Sequence, residues 1–367
     1  MEKKQIDIVN LNRRSKTAVI LLVFFVVFFV IAVFSDPGCA IITSWRDDQT
    51  GKALYPFIFS LMCIAMLSWT NYFVVKEINN CFIKNDSRKI NWTITTLLLI
   101  YEIPTTILYQ LDTYKIFDHL PHFDQLFVIL FFCTLPILFT IVLWIAKANS
   151  FNDIKNSAYC ALTTCIVAIA YISIFYIIST KCWSTILIMA AIPCLADIFA
   201  YLFGCRFGRH KMCEHISPKK TWEGFIAGLT LSVALTLAII SVFYAFPFRN
   251  QQEMFISFIG WQCAPLNKKE IYLWLLDSNV WWIISFFVTT ALSLISVGGD
   301  LLFSFFKRKN QIKDFSNFLP GHGGILDRFD SISLVLISYF LVSIILSMSI
   351  TGFGSNSTLI HYVVWYQ

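Results

Sequence analysis

Residues 18–34 read A-V-I-L-L-V-F-F-V-V-F-F-V-I-A-V-F, an unbroken run with no charge and no strong hydrogen-bonding side chain. Such a run has no face to turn toward water, and a helix of about 20 residues is long enough to cross the ~30 Å hydrocarbon core of a bilayer. The rest of the chain has the same character: 57% of its 367 residues are hydrophobic and 14% charged, at a mean hydropathy of +0.69. Its 36 Phe residues exceed what a soluble domain of this size would bury, so an ordinary soluble enzyme is excluded. The basic opening MEKKQIDIVNLNRRSK precedes the run and no convincing small-residue cleavage site follows it. A retained first span is expected rather than a removed signal.

Working outward, nine apolar segments have the length to span a membrane: 18–35, 54–75, 92–109, 123–146, 157–178, 182–204, 224–246, 280–298 and 331–350. The expected fold is therefore all-α and polytopic, with about nine transmembrane helices. Charge placement orients it. With the N-terminus in the cytosol, 21 of the 28 Lys and Arg fall on the cytosolic side and 7 on the other, which satisfies the positive-inside rule. The expected organisation is a basic cytosolic segment 1–17, an N-terminal group of spans over 18–178, a C-terminal catalytic region over 179–350 with cytosolic loops 205–223 and 299–330, and a short non-cytosolic tail 351–367. A net charge of +6 could suggest nucleic acid on a soluble protein. Here it reads as topology, and no nucleic-acid partner is expected. The 11 Cys show no zinc-type spacing, and Cys39 and Cys263 share the far side, where pairing is open.

Polar residues near hydrocarbon are costly, so they direct attention to function. Asp197 sits near the cytosolic end of the sixth segment, ahead of Gly204, Gly208 and the stretch S-P-K-K-T-W-E-G, residues 217–224. Ser217, Lys219, Lys220 and Thr221 offer ammonium charges and hydroxyls to phosphate oxygens. The bland alternatives are that Asp197 pairs with Arg206 or Arg209 at a helix end and that the lysines serve topology or anionic headgroups. A denser cluster follows. Gly298 and Gly299 are expected to end the eighth span and place Asp300 at its mouth, while Asp327 and Asp330 open the ninth. Asp300, Asp314, Asp327 and Asp330 make up the oxygen-rich set that hard Mg²⁺ prefers. The glycines around His322 let backbone approach a ligand, or simply pack as a tight turn. The chemistry these groups suit is phosphoryl or nucleotidyl transfer without a covalent nucleophile, since no P-loop or nucleophile elbow is present.

Residues 304–330, S-F-F-K-R-K-N-Q-I-K-D-F-S-N-F-L-P-G-H-G-G-I-L-D-R-F-D, resemble the signature of the phosphatidate cytidylyltransferases, or CDP-diacylglycerol synthases. Ser304, Lys307, Arg308, Lys313, Asp314, Pro320, His322, Gly323, Gly324, Asp327, Arg328 and Asp330 carry the likeness, and S-P-K-K-T-W-E-G-F resembles the upstream region in its eukaryotic-type form. Ala196 and Cys205 depart from what many relatives carry. The resemblance implies transfer of the cytidylyl group of CTP to phosphatidic acid, giving CDP-diacylglycerol and pyrophosphate with Mg²⁺, supported by a monovalent cation such as K⁺. It implies Asp300 and Asp327 as metal ligands, with Asp197 and Asp314 shaping the polar site. Ser217, Lys219, Lys220, Thr221, Ser304, Lys307, Arg308, Lys313, His322, Gly323, Gly324 and Arg328 would bind substrate. CTP, phosphatidic acid and membrane lipids are the implied partners, the endoplasmic reticulum membrane the implied location, and the active site is expected to face the cytosol. Association of two copies is left open. The competing readings are a CTP-dependent lipid kinase and an ion-coupled transporter.

Overall fold

The computed structural model describes residues 2–35, 54–82, 151–180, 183–245, 278–320 and 323–351. Seven helices run through them: α1 Glu2–Ser35, α2 Leu54–Phe82, α3 Phe151–Thr180, α4 Trp183–Phe207, α5 Trp222–Ala245, α6 Ser278–Lys309 and α7 Leu326–Thr351. A two-stranded antiparallel hairpin, β1 Lys211–Cys213 and β2 Ser217–Thr221, joins α4 to α5. The all-α class and the polytopic membrane character hold.

The expected count of about nine spans is corrected to six among the described residues: Ser15–Ser35, Phe57–Phe82, Ala158–Ile177, Thr185–Phe207, Trp222–Val242 and Trp282–Lys309. The segments 92–109 and 123–146 lie outside the described residues, as do Cys39 and Cys263. The segment 331–350 lies in α7, whose side chains are described as far as Ser343 and whose first turns carry Asp327, Arg328 and Asp330. Gly298 and Gly299 also fail to end a helix, because α6 continues through both to Lys309. In hydrocarbon a helix break would strand backbone N–H and C=O groups, and the close packing of Gly299 against α7 offsets the modest cost of helical glycine.

Helix α3 is the centre of the bundle: 83% of its span is buried, against 17% for α1. Its Tyr171 hydroxyl donates to Thr70 Oγ1 of α2 at 2.9 Å, and the Tyr171 ring stacks on Phe329 of α7 at 5.7 Å. A buried Tyr is tolerated there because its polar tip has a partner. Helix α1 instead exposes Val19, Ile20, Leu22, Val23 and Val26, as lipid contact demands.

Small residues let α4 and α5 approach closely. A Cβ at Gly228 would meet the Ala196 carbonyl oxygen at 2.7 Å, and one at Gly224 the Ala200 carbonyl oxygen at 2.5 Å. Dispersion and lipid entropy favour such small-residue seams where no water remains to be expelled. Helix α6 packs beside α5, with Ser232 and Ser293 hydroxyls 2.7 Å apart.

Several stretches expected on one side of the membrane do meet at one end of the bundle. Thr17 Oγ1 donates to the Pro320 carbonyl at 3.2 Å, and Arg308 Nε donates to the Ile216 carbonyl at 3.2 Å. The middle of α1 at Thr17, the hairpin and the α6–α7 connection therefore gather at the same end.

Candidate active site

The site begins with three residues on one stripe of α6. Asp300, Ser304 and Lys307 are spaced by four and three, so they share a helix face. Ser304 Oγ donates to Asp300 Oδ1 at 3.3 Å. The other Asp300 oxygen takes an ion pair from the hairpin, Lys220 Nζ to Asp300 Oδ2 at 2.5 Å. Lys307 is 8% exposed and donates to Asp327 Oδ1 at 2.9 Å, while Asp330 Oδ2 lies 3.6 Å away. Burying an ammonium is tolerated only because these carboxylates neutralise it.

Helix α7 contributes its first turn. Asp327 Oδ2 accepts the backbone N–H groups of Phe315 at 3.0 Å and Gly324 at 2.8 Å. Both oxygens of Asp327 are thus engaged, one by Lys307 and one by the loop. Gly323 has φ +84°, the left-handed region, and a Cβ there would also stand 2.8 Å from Asp327 Oδ2. Glycine is required on both counts. Leu319 N–H donates to the Gly323 carbonyl at 2.8 Å and closes the loop.

Helix α4 supplies a fourth acid. Ser331 Oγ donates to Asp197 Oδ2 at 3.3 Å, while its backbone N–H donates to Asp330 Oδ1 at 2.8 Å. Asp197, Asp300 and Asp330 lie within electrostatic reach of one another, and Lys220 and Arg328 bear on Asp197 from the opposite sign. The mutual repulsion of three carboxylates makes this end of the bundle a receptor for positive charge, which two lysines supply in the structure.

Not every sequence candidate faces this cluster. Thr221 is 5% exposed and its Oγ1 accepts the Gly224 N–H at 3.2 Å, the N-cap of α5. The glycines at 204, 208 and 224 close around that hydroxyl, so Thr221 is held as a structural cap. Arg308 is exposed and reaches the carbonyls of Ile216 and Ile312, tying hairpin to helix end. Lys219, Lys313, Asp314 and Arg328 are exposed, with Asp314 against Gly323, and Ser217 is half-buried. His322 lies outside the described residues. Glu223 accepts the N–H groups of Arg209 and His210 and pairs with the His210 ring at 2.7 Å, which fixes the entry to the hairpin.

One participant escaped the sequence reading altogether. Glu77 of α2 is 5% exposed and meets the loop before α7, accepting from Ser316 Oγ at 2.6 Å. A carboxylate two residues beyond an apolar run was its only signal.

Among the described residues no three His, Cys, Asp or Glu side chains stand together as a ready metal site. The donor chemistry of Asp197, Asp300, Asp327 and Asp330 is nonetheless that of a hard divalent cation, all oxygen and all anionic. Lys220 and Lys307 stand at these carboxylates, and neutralising charge is what a bound cation would also provide.

Residues 12–346 match the family described as the cytidylyltransferase family. A Mycoplasma pneumoniae protein, named provisionally as a phosphatidate cytidylyltransferase, is 30% identical over 95% of this chain and 95% of its own length. A Staphylococcus aureus phosphatidate cytidylyltransferase is 36% identical over 52% of this chain and 60% of its own length. A Staphylococcus epidermidis phosphatidate cytidylyltransferase is 35% identical over the same shares. These relatives are bacterial, so they support the general family and lend nothing to the expected eukaryotic-type branch.

Proposed function

The chain belongs to the cytidylyltransferase family, and from that membership we propose that it transfers the cytidylyl group of CTP to phosphatidic acid, forming CDP-diacylglycerol and pyrophosphate. The observation that carries this reading is the meeting of Lys220, Asp300, Lys307, Asp327 and Asp330 at one end of a membrane bundle. Acids for a cation and lysines for phosphates converge where a lipid headgroup and a soluble nucleotide can both arrive.

In the proposed reaction a phosphate oxygen of phosphatidate forms a bond to the α-phosphorus of CTP, the bond from that phosphorus to the bridging oxygen breaks, and pyrophosphate leaves. Lys219, exposed on the hairpin beside Lys220, and Arg308 at the end of α6 are the proposed partners of triphosphate charge. Lys307 stays buried between Asp327 and Asp330, where it holds the first turn of α7 against α6. Asp300 and Asp327 are the proposed Mg²⁺ ligands, with Asp197 and Asp330 completing the acidic wall. Bound Mg²⁺ would supply charge neutralisation to the polyphosphate. A supporting monovalent cation remains part of the proposal.

The site is proposed to face the cytosol, where CTP is available. The bacterial relatives do not carry an endoplasmic reticulum address, and the cytosolic face is the part of the expected location we retain.

The test is direct. Detergent-purified protein is incubated with phosphatidic acid, Mg²⁺ and CTP labelled at the α-phosphate, beside Asp300→Asn and Asp327→Asn. Label is expected in lipid with the unaltered protein and to fall by at least about a hundredfold in either variant, the usual scale for lost electrostatic stabilisation. In a parallel reaction with CTP labelled at the γ-phosphate, label reaching lipid only from that position would establish a lipid kinase instead, and solute flux without labelled lipid a transporter. Undiminished transfer after rigorous chelation would remove the metal.

A further inference from the structure

Phe73, Glu77 and Cys81 recur every four residues along α2, so they form one stripe of that helix. All three meet the segment between α6 and α7. The rings of Phe73 and Phe318 lie with centroids 4.9 Å apart, and Cys81 Sγ donates to the Phe315 carbonyl at 2.9 Å. Between them the Glu77 carboxylate makes three hydrogen bonds. It accepts from Ser316 Oγ at 2.6 Å, from the Ile325 N–H at 3.0 Å and from the Leu326 N–H at 2.9 Å.

The backbone groups in this set matter most. The first N–H groups of a helix have no partner within it, and the positive end of the helix favours a carboxylate. Leu326 opens α7, so Glu77 caps that helix from another helix about 250 residues away in sequence. Asp327 takes the N–H groups of Gly324 and Phe315, so three successive amides, 324 to 326, are divided between two carboxylates. The backbone at Gly324 lies so close that a Cβ would stand 2.5 Å from Glu77 Oε2.

We propose that Glu77 is a positioning residue for the reaction: by fixing the first turn of α7 against α2, it sets where Asp327 and Asp330 stand relative to α6. This rests on the function proposed above. Glu77 acts through the α7 cap, with Phe73 and Cys81 as flanking contacts along the same stripe.

The experiment compares full-length Glu77→Gln with the unaltered protein in detergent, by hydrogen exchange and by steady-state kinetics. The amide keeps the size of the side chain but loses its charge and one of its two acceptors. Exchange in residues 315–327 is expected to rise at least about tenfold while α5 stays protected, since a charge-assisted bond to the helix start is lost. Turnover is expected to fall at least about tenfold with KM for both substrates within about threefold, the pattern of an interaction that shapes the transition state. Unchanged exchange, or normal turnover despite faster exchange, overturns the proposal. So does a fall in turnover that comes with equal loss of protection in α5, which marks general destabilisation.

If Glu77→Gln gives no folded protein, Ser316→Ala removes one of the three bonds. It is expected to change both readouts in the same direction by less, and a wild-type result in both would overturn the proposal. Should the unaltered protein form no CDP-lipid, the function above fails by itself, and the exchange measurement still decides whether Glu77 holds the loop.

Discussion

A Cβ placed on Gly299 would stand 2.9 Å from the backbone oxygen of Asp330, so α6 and α7 meet there main chain to main chain. The next residue along α6 is Asp300, which this contact brings within electrostatic reach of Asp330. Its neighbour Gly298 has nothing within 4 Å of the same imagined atom. Two adjacent glycines therefore have different roles, and only one of them builds the site.

Gly299→Ala is expected to push the helices apart by several tenths of an ångström at the acidic cluster. A displacement of that size in a charge-aligned site costs roughly ten- to a hundredfold in rate. Gly298→Ala, on the open side, is expected to transfer label at close to the normal rate and to unfold no earlier. Steady-state assays of the pair check this, and equal losses would remove Gly299 from its role.

Lys307→Met is expected to leave Asp327 and Asp330 facing each other without their ammonium. Removing one partner of a buried pair typically costs about 3–5 kcal/mol, and the nearly buried side chains here leave little to solvent screening. Thermal unfolding in detergent should show the loss. Adding Asp327→Asn to Lys307→Met should return part of it, because one orphaned charge is then gone.

Thr221→Val keeps the shape of the side chain but discards the hydroxyl that accepts the Gly224 N–H. A lost N-cap costs about 0.5–2 kcal/mol, so the unfolding midpoint is expected to drop while Thr221→Ser stays near normal. If Thr221→Val instead raised KM for CTP at unchanged stability, Thr221 would be a substrate contact after all.

Six of the nine expected spans coincide with described helices that meet the length and hydropathy of a membrane crossing. They were legible because an apolar run of that length has a single solution in lipid, the fully hydrogen-bonded helix. Asp300, Asp327 and Asp330 were singled out because charged groups beside hydrocarbon are costly, and Lys307 through the resemblance of residues 304–330. The uninterrupted passage of α6 through Gly298–Gly299 was not, since two glycines read locally as a stop and only packing against α7 shows otherwise. The capping role of Thr221 was not legible for the same reason: a hydroxyl beside two lysines reads as a phosphate partner, and only the fold brings three glycines close around it.

The sequence by itself determined that the chain lives in a membrane and which C-terminal charged residues stand beside its apolar spans, because hydropathy and the price of a buried charge are local properties. Only the tertiary structure decided that Asp197 joins Asp300 and Asp330, that Lys220 reaches Asp300 from the hairpin, and that Glu77 caps α7. Those partners lie far apart along the chain, and no local pattern records which helix faces will meet.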